Sequence, residues 1–476
     1  MRQHFDVVIV GSGFGGAIPA LRLAEDGRKV LCLEWGKRNT ARDFKQTYNL
    51  EYLLDLYTTR NNASFDFFVR YAKTLGGGSV MFSGAMYRSP TEVFEYVDRS
   101  GYRPWPDGVN RQVLEPYYDR VEEKLKINQV SWDQVPRSGG MFARMLNKMG
   151  LTCDRGRYNY VDCKQCGFCE AGCIFDRKVT LLHTYIPEAE ALGAEFRTEC
   201  LVTRLNPKGA LYEVHYRDAA EWERSVTADV VVLAGGAVET PAILLRSKND
   251  LPGLSDQVGL NYNNNGDIAF GWLLPEGQPD YHLYMGRDNS GMMCYAFWDD
   301  HKVTLHPGGP PPAVIAGLEL HRKGKLSWGL EHKEVMRNYY DGRMVIALAI
   351  GLIDSNGTVT LDGSGQPVLD FPMNDYLRGY IARVEGIAQR IADANGAELI
   401  NTGPDGYEHG DAHPLATCRI AGDPGKGVCD PTGKVFGYDR LYVADGASIP
   451  AGTGVNPAHT IAANAERIAA HIVENT

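Results

Sequence analysis

The stretch FDVVIVGSGFGGAIPALRLAEDGRKVLCLE, residues 5–34, decides the fold of this chain. It opens with FDVVIV (5–10), a short apolar and β-branched run of the kind that forms a buried strand. The glycine-rich turn GSGFGG (11–16) follows at once, and a helix-like segment leads to a second strand, KVLCL (29–33), which ends on Glu34. A strand, a tight turn, a helix and a second strand in this order predict an α/β fold of the Rossmann type.

Three glycines of the turn have the spacing of a dinucleotide site, and each has its own role. Gly11 permits the tight turn, Gly13 lets the backbone approach a pyrophosphate, and Gly16 allows the helix to pack closely on the strand. The helix N-terminus favours negative charge. Glu34 stands where a carboxylate would accept hydrogen bonds from ribose hydroxyls. We therefore predict dinucleotide binding; the alternative is a glycine turn in an ordinary α/β unit.

Length and charge narrow the function further. The chain has 476 residues, enough for two or three packed units at roughly 150 residues each. Its formal net charge of -10 offers no overall attraction to nucleic acid or to an anionic membrane. The sequence begins without the pattern of a secretory signal, and its apolar runs are shorter than the roughly 18 residues that span a bilayer. We expect a soluble, cytoplasmic protein without nucleic-acid or membrane partners.

The spacing of the first motif does not separate FAD from NAD, so other segments must decide. LGGGS (75–79) is a glycine-rich loop that can bring backbone N–H groups against a flat ring or a phosphate. The buried strand DVVVL (229–233) runs into AGGAVETPAILLRS (234–247), where Thr240 and Pro241 predict a helix start with an N-cap and an N1 proline. Three further blocks lie near the C-terminus: HPLATCRI (413–420), LYVADGASIP (441–450) and GVNPAHT (454–460).

Taken in this order, the motifs resemble those of the glucose–methanol–choline (GMC) oxidoreductase family, nearest its bacterial cholesterol-oxidase-like branch. The resemblance implies FAD as cofactor and oxidation of a small-molecule alcohol to a carbonyl, with oxygen or a redox partner as electron acceptor. It also implies a discontinuous, Rossmann-like FAD-binding domain and an α+β substrate-binding domain with an antiparallel sheet. We assign residues 1–90, 180–265 and 401–476 to the first domain, and residues 91–179 and 266–400 to the second.

Two details of the substrate-binding domain can be predicted locally. GTVTL (357–361), a turn and PVLDF (367–371) predict a β-hairpin. The glycine- and proline-rich stretch 306–312 predicts a loop.

Hydride removal from an alcohol requires that the hydroxyl proton also leave, so a base must lie beside flavin N5. Histidine suits this work near neutral pH, but the chain has twelve of them. The resemblance makes His413 the base and Asn456 the residue that orients the substrate oxygen. The alternatives are a structural loop role for His413 and an N-cap role for Asn456, just before Pro457. His459, three residues after Asn456, is a weaker catalytic candidate.

The resemblance also implies the cofactor contacts. Many relatives have an Asn shortly after the glycines of the flavin loop; residues 80–86 contain none, so that contact is either absent or made by Ser83. No histidine lies between Tyr71 and Pro104 to attach the flavin, so we predict non-covalent FAD. Asp445 ends a predicted strand and should face the ligand crevice, or else cap the next segment. The predicted contacts are Gly11, Gly13, Phe14, Gly15, Gly16, Glu34, Gly77, Gly78, Ser79, Ser83, Val202, Asp445, Gly446, Asn456 and Pro457.

A cluster of cysteines leaves a second question open. Cys163, Cys166, Cys169 and Cys173 have the spacing of an iron–sulfur run, although Ile174 replaces the proline that usually follows. The alternatives are zinc, or cysteines that are structural or disulfide-bonded. A cluster would relay electrons from flavin to an external acceptor and make the protein a dehydrogenase, whereas a bare flavin could use oxygen.

The substrate cannot be identified from the sequence. Aromatic stretches at 281–284 and 295–298 suit a sugar, a sterol or an ordinary core. We favour a sugar-like or cyclitol alcohol, with sterol oxidation as the alternative. Two other classes stay open: a flavin and iron–sulfur electron-transfer protein without alcohol chemistry, and a pyridine-nucleotide oxidoreductase, against which the C-terminal blocks argue.

Overall fold

Short strands and helices alternate along the chain. The computed structural model describes residues 3–62, 67–277, 282–310, 312, 315–316, 328–400 and 409–476. The strands in these ranges are β1 (His4–Val10), β2 (Val30–Leu33), β3 (Tyr57–Asn61), β4 (Phe67–Ala72), β5 (Asn128–Gln129), β6 (Asp154–Arg155), β7 (Arg157–Tyr158), β8 (Glu195–Arg197), β9 (Leu201–Lys208), β10 (Leu211–Arg217), β11 (Glu223–Leu233), β12 (Leu260–Tyr262), β13 (Ile268–Leu273), β14 (Met292–Met293), β15 (Val303–Gly308), β16 (Met344–Gly351), β17 (Gly357–Leu361), β18 (Pro367–Asp370), β19 (Glu398–Leu399), β20 (His409–Asp411) and β21 (Leu441–Val443).

The α-helices in the same ranges are α1 (Phe14–Glu25), α2 (Leu50–Leu56), α3 (Gly78–Met81), α4 (Arg111–Leu125), α5 (Arg137–Asn147), α6 (Tyr185–Ala191), α7 (Gly236–Arg246), α8 (Trp298–His301), α9 (Leu330–Tyr340), α10 (Asp375–Asn395) and α11 (Ala458–Asn475). Short 3-10 helices cover Thr91–Glu95, Trp132–Gln134, Cys169–Ala171, Leu181–His183 and Gly446–Ser448. Among the described residues, none of these helices has both the length and the apolar character needed to cross a bilayer.

The central sheet is built around β1. Its strand order is β8-β2-β1-β11-β10-β9, with β21 beside β11. The five strands β8, β2, β1, β11 and β21 are parallel, and β10 and β9 continue the sheet antiparallel. Val7 and Ile9 pack on one face, with α1 and α11, whereas Val8 and Val10 pack on the other. Burial of both faces accounts for the nearly continuous apolar run of β1.

A second sheet lies in the region predicted to bind substrate. It is antiparallel, in the order β15-β16-β13-β19, and α10 packs against it. The indole N–H of Trp272 donates to the carbonyl of Ala388 at 2.8 Å, which ties β13 to α10. The predicted hairpin is also present, as antiparallel β17 and β18. These findings confirm the predicted fold class, while the division of the chain into the two domains stays a prediction.

The predicted start of α7 is wrong. The helix begins at Gly236, so Thr240 and Pro241 lie inside it rather than at its first turn. Proline lacks the N–H that would bond the carbonyl of Ala237. The hydroxyl of Thr417 donates to that carbonyl at 2.7 Å instead, so the missing helical bond is replaced from outside the helix.

The loop predicted at 306–312 is also wrong in its first part. His306, Pro307 and Gly308 belong to β15 and pair with β16, and only part of the remaining stretch lies within the described residues. The last helix begins at Ala458 with Pro457 as its N-cap, so Asn456 precedes the cap and its side chain is available for other contacts.

Candidate active site

In the glycine turn after β1, two positions accept only glycine, and free space adjoins the third. Gly11 has a φ of 92°, a conformation that favours glycine. A Cβ on Gly16 would lie 1.9 Å from the carbonyl oxygen of Gly11, so only glycine fits where α1 crosses the turn. A Cβ on Gly13 would meet nothing nearer than the Cα of Gly77 at 4.0 Å. The turn therefore has its open side at Gly13, where a pyrophosphate was predicted.

The carboxylate of Glu34 is fixed beside this turn. Its Oε2 accepts from the backbone N–H of Ser12 at 3.0 Å, and its Oε1 accepts from that of Gly36 at 2.7 Å. Burial raises the pKa of Glu34, and these hydrogen bonds oppose the rise. The backbone N–H of Cys200 donates to the Glu34 carbonyl at 2.8 Å, so the start of β9, with the buried Val202, borders the same corner.

The predicted flavin loop packs directly on the turn. The backbone N–H of Gly76 donates to the hydroxyl of Ser12 at 2.9 Å, and a Cβ on Gly77 would lie 2.8 Å from the Cα of Gly13. The side chain of Ser79 donates to the Gly76 carbonyl at 2.7 Å, so it holds the loop in shape. Ser83 follows α3 and is half-buried. The two glycine-rich segments therefore form one continuous surface.

Asp445 joins three segments at the end of β21. Its Oδ2 accepts from the backbone N–H of Gly236 and from the hydroxyl of Thr240, both at 2.6 Å. Its Oδ1 accepts from the N–H of Ala447 at 2.9 Å and caps the 3-10 helix that begins at Gly446. Burial raises the pKa of Asp445 to about 6. The capping role predicted as the alternative is thus real, and it does not exclude contact with a ligand.

Asp445 also adjoins the start of α1. A Cβ on Gly15 would lie 2.7 Å from the Cα of Asp445, and the neighbouring Phe14 is buried. The turn, the flavin loop and the end of β21 therefore meet at one place in the structure.

The structure brings His413 and Asn456 together. The amide Nδ2 of Asn456 lies 3.2 Å from Nε2 of His413, although 43 residues separate them in sequence. Both side chains are largely shielded from solvent. The Oδ1 atom of Asn456 is buried and has no hydrogen-bond partner within the described ranges. An unpaired buried amide oxygen is unfavourable, so its position favours a bound polar ligand.

Sequence reasoning missed Asp267, which contacts the other ring nitrogen of His413. Its Oδ2 lies 2.7 Å from His413 Nδ1, and its side chain is 3% exposed. Burial alone would lower the pKa of His413, but the Asp267 carboxylate outweighs it, with a contribution from Asp411, and the pKa is raised. This contact assigns a proton to Nδ1, so Nε2 of the neutral ring is an acceptor, and in this structure it faces the amide of Asn456. Asp267 follows an Asn-rich run, and nothing in that run links it to a histidine 146 residues away.

His306 is a second residue that sequence reasoning missed. Its Nδ1 lies 3.3 Å from the amide Nδ2 of Asn289, which assigns the ring proton to Nε2. Nε2 is buried and has no partner in the part of the chain that the structure describes. Burial, together with the charge of His413, lowers the pKa of His306 to about 4, so the ring is neutral near pH 7. His306 thus presents an unpaired donor near His413.

His459 is placed away from this pair. Its Nε2 lies 3.2 Å from the carbonyl of Tyr118 on α4, and its ring packs against the Tyr118 ring. Burial lowers the pKa of His459 to about 3. A fully buried, neutral histidine against a neighbouring helix has a structural role.

Known proteins share the sequence pattern of this chain. Models of the GMC oxidoreductase N- and C-terminal regions match residues 5–264 and 354–465. The cholesterol oxidase of Mycobacterium tuberculosis is 27% identical over 549 residues, which cover 98% of this chain and 91% of that protein. The 6'''-hydroxyparomomycin C oxidase of Streptomyces lividus is 26% identical over 518 residues, covering 98% of this chain and 92% of that protein.

A solved structure extends the likeness to the fold. The pyridoxine 4-oxidase from Mesorbium loti superposes with a TM-score of 0.71 at 18% identity, covering 99% of each chain. At this identity the likeness concerns the fold alone.

Proposed function

Because this chain belongs to the GMC oxidoreductase family, we propose that it binds FAD without a covalent bond and oxidises an alcohol to a carbonyl. The observation that carries the proposal is the contact between His413 and Asn456. Together they offer a base for the hydroxyl proton of an alcohol and a hydrogen-bond donor for its oxygen. The glycine turn at Gly13, the carboxylate of Glu34, the loop at 77–79 and Asp445 would hold the cofactor. FAD supplies a hydride acceptor at its N5 atom.

The residues of the chain supply the proton chemistry. Nε2 of His413 accepts the hydroxyl proton of the substrate, while the amide of Asn456 donates to the same oxygen and orients it. Asp267 accepts from Nδ1 and stabilises the imidazolium that forms. The N-terminus of α11 begins just after Asn456, and its dipole favours negative charge there.

Replacing Asp267 by Asn should move the pH profile of the reaction. The base must be unprotonated, so kcat/KM rises with pH through the pKa of His413. Without the Asp267 charge that pKa falls, and the acid limb moves to lower pH. Loss of ring orientation should also lower the rate by about 10- to 100-fold, part of the usual contribution of a general base. The measurement is kcat/KM against pH for both proteins.

An Asn456→Ala variant is the control for this shift. It removes the residue that faces Nε2 of His413 but leaves the Asp267 carboxylate in place, so its acid limb should not move to lower pH. An Asp267→Asn enzyme with an unchanged limb would mean that Asp267 has only a structural role.

Three polar side chains near His413, those of His306, Asn289 and Tyr158, support a polyhydroxylated substrate, sugar-like or cyclitol, rather than a sterol. His306 hydrogen-bonds Asn289, and Asn289 accepts from the hydroxyl of Tyr158. A sterol would leave the Nε2–H of His306 unpaired, which is unfavourable for a buried donor. The named relatives include both a cholesterol oxidase and a hydroxyparomomycin oxidase, so they do not distinguish a sterol from a sugar-like substrate. The proposal therefore rests on the polar residues of the site.

Substitution of His306 by Leu tests this assignment. The loss of one neutral hydrogen bond, about 1 kcal/mol, should raise KM for sugars and cyclitols by about 5- to 10-fold. KM for simple alcohols, which have no second hydroxyl, should stay nearly unchanged. A His306→Gln variant retains a donor and should lose less. Equal losses on both substrate classes would indicate a packing role only.

Acid precipitation should release the flavin. No histidine lies between Tyr71 and Pro104, so we expect the yellow colour in the supernatant and a colourless pellet. A pellet that stays yellow after washing would show a covalent bond.

The proposed function itself is tested by anaerobic spectroscopy. Purified protein should show flavin absorbance that bleaches when one member of a panel of sugars, cyclitols, simple alcohols and sterols is added. Bleaching identifies the substrate class. A colourless protein that cannot be loaded with FAD would overturn the proposal.

A further inference from the structure

The cysteine run CKQCGFCEAGC (163–173) has no role in the proposed chemistry. All four thiols are free in the structure; Cys169 is buried, and the other three are half-buried. The segment has no regular strand and contains one short 3-10 helix, Cys169–Ala171. Gly167 and Gly172 have positive φ values of 79° and 90°, which let the chain turn between successive cysteines.

We propose that Cys163, Cys166, Cys169 and Cys173 bind a [4Fe–4S] cluster beside the flavin loop. Their spacing, C-x2-C-x2-C-x3-C, is that of the bacterial ferredoxin run, in which the fourth cysteine serves a second cluster. This sequence has no second run, so here Cys173 would complete the same cluster. The placement beside the flavin rests on the proposed function, whereas the binding of iron does not.

The sulfur atoms already receive backbone hydrogen bonds. The N–H of Gln165 donates to the Sγ of Cys163 at 3.3 Å, and the N–H of Arg177 donates to the Sγ of Cys173 at 3.3 Å. A neutral thiol is a weak acceptor, so N–H groups aimed at sulfur suit thiolates, and such bonds help to set the potential of iron–sulfur centres.

Two buried cations adjoin the run. Lys178 is fully buried and donates to the carbonyls of Phe82 and Cys169, at 2.6 and 2.7 Å. Arg287 is 2% exposed, and its Nε and Nη1 atoms have no partner in the described ranges. Its guanidinium stacks on the ring of Tyr160, three residues before Cys163. Buried cations are unfavourable without a negative partner, and a cluster with four thiolates is negatively charged.

The spacing of the sulfurs argues against a single zinc ion. Four thiolates at about 2.3 Å from zinc lie roughly 3.8 Å from one another. No three of the four cysteine sulfurs, all of which the structure describes, lie within 4.8 Å of one another. In the structure they do not form the compact tetrahedron of a zinc site. A cluster of several iron atoms holds its thiolates further apart than one ion does.

The run lies near the flavin loop. Cys169 belongs to the same buried cluster as Ala85 and Val455, the residue before Asn456. Lys178 connects the run to Phe82, just after α3. Cys163, Cys166 and Cys173 are half-buried, so part of the site is accessible to solvent.

The test is the metal content of the full-length protein, produced and purified without oxygen and reconstituted with iron and sulfide. We expect about four iron atoms and four acid-labile sulfides per chain, with an electron paramagnetic resonance signal after dithionite reduction. Cys166→Ser should lose this signal while its FAD content is unchanged. Cys153→Ser, a half-buried cysteine outside the run, should retain both.

Three results would overturn the proposal: only trace iron after reconstitution, one zinc per chain, or a disulfide within the run in protein kept free of oxygen. Iron and sulfide without FAD or alcohol oxidation would support the cluster and contradict the proposed function. The two ideas therefore fail separately.

Discussion

Replacing His413 by Ala should lower kcat/KM for the alcohol by about 10²- to 10⁴-fold, the usual contribution of a positioned base. Without Nε2 the hydroxyl proton has no acceptor, and Asn456 cannot replace it because an amide does not take up a proton near neutral pH. The acid limb of the pH profile should disappear with the residue. The measurement is the rate of flavin bleaching in a single anaerobic turnover, together with the pH profile.

FAD content and thermal stability must be measured beside the rate. His413→Ala removes the imidazole that contacts the buried Asp267 carboxylate, and the loss of this contact destabilises the fold. A His413→Ala, Asp267→Asn double variant removes that charge and should restore stability without restoring activity. His471→Ala, remote on α11, should behave as wild type in every assay. A stable His413→Ala protein with normal FAD and a near-normal rate would exclude His413 as the base.

The local parts of the fold could be predicted from the sequence. The strand, turn and helix of residues 5–34 depend on neighbours a few positions apart, and the hairpin of β17 and β18 does so too. The predicted start of α7 was wrong because Pro241 can lie inside the helix. The hydrogen bond that it cannot donate to the Ala237 carbonyl is supplied by Thr417, 180 residues away. A distant donor leaves no mark on the local pattern.

The candidate site divides in the same way. His413 and Asn456 were predicted because each lies in a recognisable block of sequence. Asp267 and His306 were not, because nothing in their local sequence links them to His413, and their contacts arise when distant segments pack. Polar residues that complete a site from such segments become visible only once the chain is folded.

Substitutions at two glycines of one turn should separate nucleotide binding from folding. Gly13→Ala should weaken FAD binding by about 1–3 kcal/mol, or roughly 5- to 150-fold in Kd, because its methyl group would crowd the predicted pyrophosphate. The protein without FAD should fold normally, since that methyl group meets nothing closer than 4.0 Å and the φ of -66° suits alanine. Flavin fluorescence titration and urea unfolding of the apoprotein measure the two quantities.

Gly16→Ala is the matched variant, three residues further along. Its methyl group would lie 1.9 Å from the carbonyl oxygen of Gly11, a clash between α1 and the turn that costs about 3 kcal/mol or more of unfolding free energy. We therefore expect an unstable or insoluble protein whether or not FAD is present. If Gly13→Ala bound FAD as tightly as wild type, the open side of the turn would not hold the pyrophosphate. If both variants were equally unstable, the turn would be a structural element, and the dinucleotide site would have to lie elsewhere.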